Sequence, residues 1–128
     1  MKRHIALAVA SIAVAAGLPL AYAQDMAVTA GNKAKVILDN DKVRVFELEV
    51  PPGGSTGMHS HGDNIVYWLT ASDGVQSMAD GKKVDMHRTA GEIKWSGPVV
   101  HDTLNTGKNT TKVLVIELKE AGATSASK

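Results

Sequence analysis

The residues best suited to chemistry in this chain are its histidines. There are five, and there is no cysteine. His59 and His61 stand one residue apart in Gly57-Met58-His59-Ser60-His61-Gly62. On an extended backbone, residues i and i+2 project from the same face, so these two imidazoles would converge on one point. His101 follows much later, at the start of another β-like stretch. Neutral imidazole is a common ligand for Zn, Fe, Ni and Cu. Three such ligands would leave coordination positions open for water or substrate. Spacing alone leaves two readings standing. A His-x-His pair among Gly and Ser also suits a solvated turn, and His101 also suits a core or surface position. His87, beside Arg88 in a polar hairpin strand, reads as exposed. Met58, Met78 and Met86 would suit a soft ion such as Cu(I), although Met more commonly fills gaps in a core. The absence of Cys excludes disulfides, thiolate metal sites and Cys nucleophiles.

The elements that must position these histidines read as short strands. Lys42 to Val50 (KVRVFELEV) alternates, with Arg44, Phe46, Leu48 and Val50 on one face. Pro51-Pro52-Gly53-Gly54 ends it. Ile65 to Thr70, Gly91 to Trp95, Val100 to Leu104 and Lys112 to Leu118 are further strand patterns, and Asp80-Gly81 marks a hairpin. No segment after the leader pairs helical length with an apolar stripe of period 3.6. Many short strands separated by turn residues predict an all-β sandwich or barrel.

The chain begins differently. Lys2, Arg3 and His4 precede an apolar run, Ile5 to Leu20, followed by Ala21-Tyr22-Ala23. This is the layout of a secretory signal peptide cleaved after Ala23. The run is short for a membrane span, so no membrane association is expected after cleavage. Residues 24–33 are small and polar and read as a flexible N-terminal arm. Residues 34–119 read as one barrel domain, and residues 120–128 as a disordered tail. Loss of Lys2 and Arg3 turns the net charge of +1 into a small negative excess. No basic cluster supports nucleic-acid binding. An exported chain without cysteine suits a bacterial periplasm better than a disulfide scaffold.

The sequence resembles the cupin family. Gly53, five intervening residues and His59-Ser60-His61 match the opening of that family's first motif. His101 and Asn105, downstream of Gly91, match the close of the second. The phrases HSHGDNIVYWL and WSGPVVHDTLNTG are similar to small single-domain cupins of the β-alanine degradation type. The resemblance implies a double-stranded β-helix, or jelly-roll barrel of the RmlC-like kind. It also implies one divalent transition-metal ion held by His59, His61 and His101 inside the barrel mouth. Two departures from the family pattern stand out. The motif Glu is missing, with Ile65 or, allowing a one-residue deletion, Asn64 in its slot. Ser96-Gly97-Pro98 replaces the Pro-x-Gly turn.

Asn64 is then a candidate fourth ligand or pocket residue. Asp63, Tyr67, Trp95, Asp102 and Asn105 are candidates to orient the imidazoles or line the pocket. Three neutral ligands would leave the full charge on the ion, which favours an anionic or chelating small metabolite. The expected function is a metal-dependent enzyme, dioxygenase- or isomerase-like. The alternative is a cupin that binds a metal or small ligand without turnover. A homodimer is expected, with the strand from Lys42 to Val50 as the pairing edge.

Overall fold

The computed structural model describes residues 24–120. The expected signal peptide (1–23) and all of the expected tail beyond residue 120 lie outside the described residues. A short helix α1 (Met26–Thr29) and a 3-10 turn (Gly31–Lys33) precede nine strands. These are β1 (Ala34–Asp39), β2 (Val43–Val50), β3 (His59–His61), β4 (Asn64–Trp68), β5 (Ser72–Met78), β6 (Lys83–Arg88), β7 (Ile93–Ser96), β8 (Val99–Asn105) and β9 (Thr111–Leu118). They form one sheet of order β1-β2-β9-β4-β7 and another of order β3-β8-β5-β6, with every ladder antiparallel. The all-β, two-sheet architecture is the one the alternation predicts.

Alternation builds the core. Phe46 and Leu48 of β2 lie opposite Val115 and Val113 of β9, and β4 continues the same rows with Val66 and Trp68. Phe46 is fully buried, and Leu48, Val50, Trp68, Val113 and Val115 are buried around it. Each such side chain contributes about 1.5–3 kcal/mol. The Asp80-Gly81 hairpin is present: Gly81 takes φ 85°, and Met78 N donates to Lys82 O.

Two expectations are corrected. The strand from Lys42 to Val50 is not an edge, because β1 pairs along it, and the edges of this sheet are β1 and β7. Asn40 closes that hairpin by accepting from Lys42 N and Val43 N, a turn the sequence reading missed. Nor is the segment 24–33 a loose arm. Met26 and Ala30, four residues apart, share one face of the helical turn, and each is only 1% exposed. Asp25 caps α1 through Ala27 N and pairs with Arg44, while Gln24 O accepts from Ser60 N.

Candidate metal centre

His59 and His101 are direct cross-strand partners between β3 and β8. Their side chains therefore rise from the same face of the sheet, and His61 joins them from two residues along. His59 is 1% and His61 8% exposed, and His101 is half-buried. Ring centroids lie 4.6 Å (59–61), 4.9 Å (59–101) and 5.4 Å (61–101) apart. One ligating nitrogen from each falls within 4.8 Å of the others. The structure thus brings together three residues that the sequence separates widely.

Hydrogen bonds orient two of the rings. His59 Nδ1 lies 2.7 Å from the Gly57 carbonyl oxygen, and His61 Nδ1 lies 2.6 Å from Glu117 Oε1. A carbonyl and a carboxylate only accept, so both Nδ1 atoms carry the proton and donate. In the neutral rings both Nε2 atoms then present lone pairs, and these face each other at 2.9 Å. Two lone pairs at that distance repel unless a positive centre lies between them. A proton on His59 or His101 is disfavoured. Burial lowers the His59 pKa, and the neighbouring His61 adds to the effect. Burial also pushes His101 down to about 4, helped by His59 and His61. A divalent metal suits the close His59–His61 pair. Metal–nitrogen bonds of about 2.0–2.1 Å meeting at a right angle place the nitrogens about 2.9 Å apart.

The supporting groups differ from those expected. Asp102 does not touch an imidazole ring. Its Oδ1 accepts from Ser55 Oγ and Thr56 Oγ1, and Ser55 Oγ accepts from Gly57 N. Asp102 therefore fixes the loop whose carbonyl orients His59, acting two contacts away. Gly57 has φ 71°, and a Cβ there would meet Thr29 Cβ at 3.1 Å and Thr29 O at 3.2 Å, so both conformation and space favour glycine. Asn105 is buried but binds the β8–β9 connection. It donates to Val50 O and Asn109 O and accepts from Gly107 N. Asn64 is 1% exposed and lines the same cavity as the histidines, its amide nitrogen donating to Gly62 O.

Asp63, Tyr67 and Trp95 are not among the residues lining that cavity. Asp63 is exposed in the bend before β4. Alternation explains the two aromatics. Asn64, Val66 and Trp68 point inward on β4, and Lys94 and Ser96 point inward on β7. Tyr67 and Trp95 consequently face outward, with Trp95 54% exposed. His87 is exposed, as its polar strand predicts, and contacts Asp73. Met58 is also exposed, whereas Met78 and Met86 line the cavity with Met26.

Glu117 escaped the sequence reading. It continues the inward row Thr111, Val113, Val115 of β9, and it lies in register with Asn64 of β4 and Arg44 of β2. The signal was available in KVLVIEL: a carboxylate at an inward position of an apolar strand needs a partner. Here the partner is His61. The arrangement is a carboxylate–imidazole–site line, which raises the basicity of the ligand nitrogen. The cavity is about 200 Å³ and open to solvent on one side, with apolar walls from Leu48, Val50 and Val113. That is below the usual range for drug-sized ligands, so it suits a small one.

No family model and no curated protein matches the chain. Solved structures do. A cupin domain from Bordetella pertussis Tohama I is 30% identical, with a TM-score of 0.64, over 68% of this chain and 92% of that one. The polyketide cyclase RemF from Streptomyces resistomycificus is 25% identical, with a TM-score of 0.54, over 68% of this chain and 64% of that one. An RmlC-like cupin from Methanocaldococcus jannaschii with a double-stranded β-helix fold is 11% identical, with a TM-score of 0.55, over 66% of this chain and 77% of that one. At that identity the likeness shows the fold alone.

Proposed function

The chain belongs to the cupin family, and from that membership we propose that His59, His61 and His101 hold one divalent transition-metal ion that meets a small anionic or chelating ligand in the cavity. The observation that carries this reading is the approach of the buried His59 and His61 Nε2 atoms to 2.9 Å while both Nδ1 atoms face oxygen acceptors. A bound ion of this kind supplies Lewis-acid polarisation or, if redox-active, dioxygen chemistry. The chain's own residues do the rest. Glu117 and the Gly57 carbonyl hold the ring tautomers, and the apolar walls pack against the ligand.

The catalytic reading is an enzyme of dioxygenase or isomerase type. Three protein ligands leave coordination positions open, and the similar RemF chain is itself a cyclase. One observation favours a binding protein without turnover: among the described residues no carboxylate joins the three imidazoles. Anaerobic Fe(II) loading followed by oxygen-electrode assays over a panel of short carboxylates and diols separates the two. Substrate-dependent oxygen uptake, or a product detected by NMR, supports the enzyme. A ligand retained unchanged and in stoichiometric amount supports the binding protein.

Export to the periplasm through residues 1–23 belongs to the same proposal, supported by the leader pattern alone. So does kinship with the β-alanine degradation cupins, which rests on the sequence phrases. We also place a homodimer on the outer face of the five-stranded sheet. There Trp95, Ile65, Ile116, Val45 and Leu38 form one apolar row, linked strand to strand by register. Trp95 and Leu38 are 54% and 49% exposed. Light scattering of the wild type and of Trp95→Lys tests this: a dimer that becomes a monomer supports it, and a monomeric wild type at working concentration refutes it.

A further inference from the structure

Strand β7 is inverted relative to what burial selects. Its apolar residues Ile93 and Trp95 face outward, 65% and 54% exposed, while Lys94 lines the cavity and is itself exposed to solvent. Lys94 has no carboxylate partner among the described residues. It lies in register with Val66, one inward step from the Ser96–Asn64 pair. The cavity's other cation, Arg88, is paired with Glu92. Arg88 is in register with Ser72 and His101 with Met78, at opposite ends of β5. The acids near the site are already engaged: Glu117 by His61, Asp102 by Ser55 and Thr56, and the cavity-lining Asp73 by His87.

Resting on the metal reading above, we infer that Lys94 selects the ligand. The site takes a short molecule with two oxyanionic groups, such as a dicarboxylate or an oxo- or hydroxy-acid. One group faces the three histidines and the other meets the Lys94 ammonium. An ion that no carboxylate ligand offsets, a lysine without a carboxylate partner among the described residues and a cavity of about 200 Å³ together favour a compact anion over a neutral or cationic molecule. An inward lysine on an edge strand also guards against edge-to-edge pairing, and that role alone would leave anion affinity independent of Lys94.

The test uses the full chain loaded with Co(II), whose visible spectrum reports the metal. Malonate and its neutral analogue malonamide are titrated by calorimetry at low and high salt. For Lys94→Ala we expect an unchanged cobalt spectrum and about two- to fivefold weaker malonate binding, the range for a solvent-accessible ion pair. Malonamide binding should not change, Lys94→Arg should restore malonate affinity, and high salt should shrink the difference. Lys82→Ala, in the exposed β5–β6 turn, should behave as wild type. Malonate affinity that is equal in the wild type and Lys94→Ala overturns the inference, as does an equal loss for malonamide. Failure of cobalt to bind the wild type would overturn the metal reading instead. Malonate titrated into metal-free wild type and Lys94→Ala would then still test the lysine directly.

Discussion

Replacing Glu117 shows how much of the site's affinity comes from the group behind His61. The carboxylate accepts from His61 Nδ1 at 2.6 Å, with the ring 4% and the carboxylate side chain 20% exposed. A hydrogen bond to a charged acceptor contributes about 1.5–3 kcal/mol and one to a neutral acceptor about 0.5–1.5 kcal/mol. Glu117→Gln keeps an acceptor of the same shape and removes the charge. It should therefore weaken metal binding by about 1–1.5 kcal/mol, or roughly five- to tenfold. Glu117→Ala also frees the ring to rotate and take the other tautomer. Its loss should reach about 10–100-fold, as for other groups that orient metal-ligating histidines. Zn(II) affinity measured in competition with a chromophoric chelator reads both variants, and circular dichroism confirms that they fold. If both variants fold and bind zinc within twofold of wild type, His61 is not oriented by Glu117 and the tautomer argument fails.

Three other outcomes follow from the same geometry. His59 and His101 have folded-state pKa values below the ordinary 6.5, about 4 for His101, so in that interval the unfolded chain binds more protons than the native one. Stability of the metal-free protein should fall as pH drops from about 6.5 toward 4, His101 contributing up to roughly 3 kcal/mol. Urea titrations at pH 7 and 4.5 measure this, and a His101→Asn variant with an undiminished pH dependence would contradict it. Gly57→Ala combines positive φ with a contact on Thr29 and should cost about 1–3 kcal/mol, seen as a lower Tm together with weaker zinc binding. A melt unchanged from wild type would contradict that. Asn105→Ala leaves Val50 O and Asn109 O without their amide donor and should destabilise by about 2–4 kcal/mol, with zinc affinity per folded molecule unchanged. A selective loss of zinc would return Asn105 to the metal site.

The sequence made the architecture legible where one face of a strand is buried. KVRVFELEV alternates, and it became an interior strand with Phe46, Leu48 and Val50 on the predicted row, while the apolar run KVLVIEL became the strand beside it. His59 and His61 were legible for the same reason, since a two-residue period on a strand leaves one facing geometry. Their meeting with His101 was not readable from spacing, because it depends on the β3–β8 register. Tyr67 and Trp95 were assigned inward by residue type, but period two overrules type on β4 and β7. Asp102 and Asn105 were placed near the rings because they are near His101 in sequence. Their side chains instead bind loops that arrive from residues 50–57 and 107–109. Met26 was missed because a four-residue helix carries too little periodicity to show that it closes the core.

The central claim is that three imidazoles from β3 and β8 share one cation. Elemental analysis of the chain, purified without chelator and without a nickel resin, tests it most directly. Close to one transition-metal ion per chain is expected in the wild type. That ion should be lost in His59→Ala, His61→Ala and His101→Ala, each still showing the β-sheet circular dichroism of the wild type. A folded wild type that neither retains a metal nor takes up Zn(II), Co(II) or Fe(II) on addition would contradict it, as would a triple histidine variant that keeps the metal.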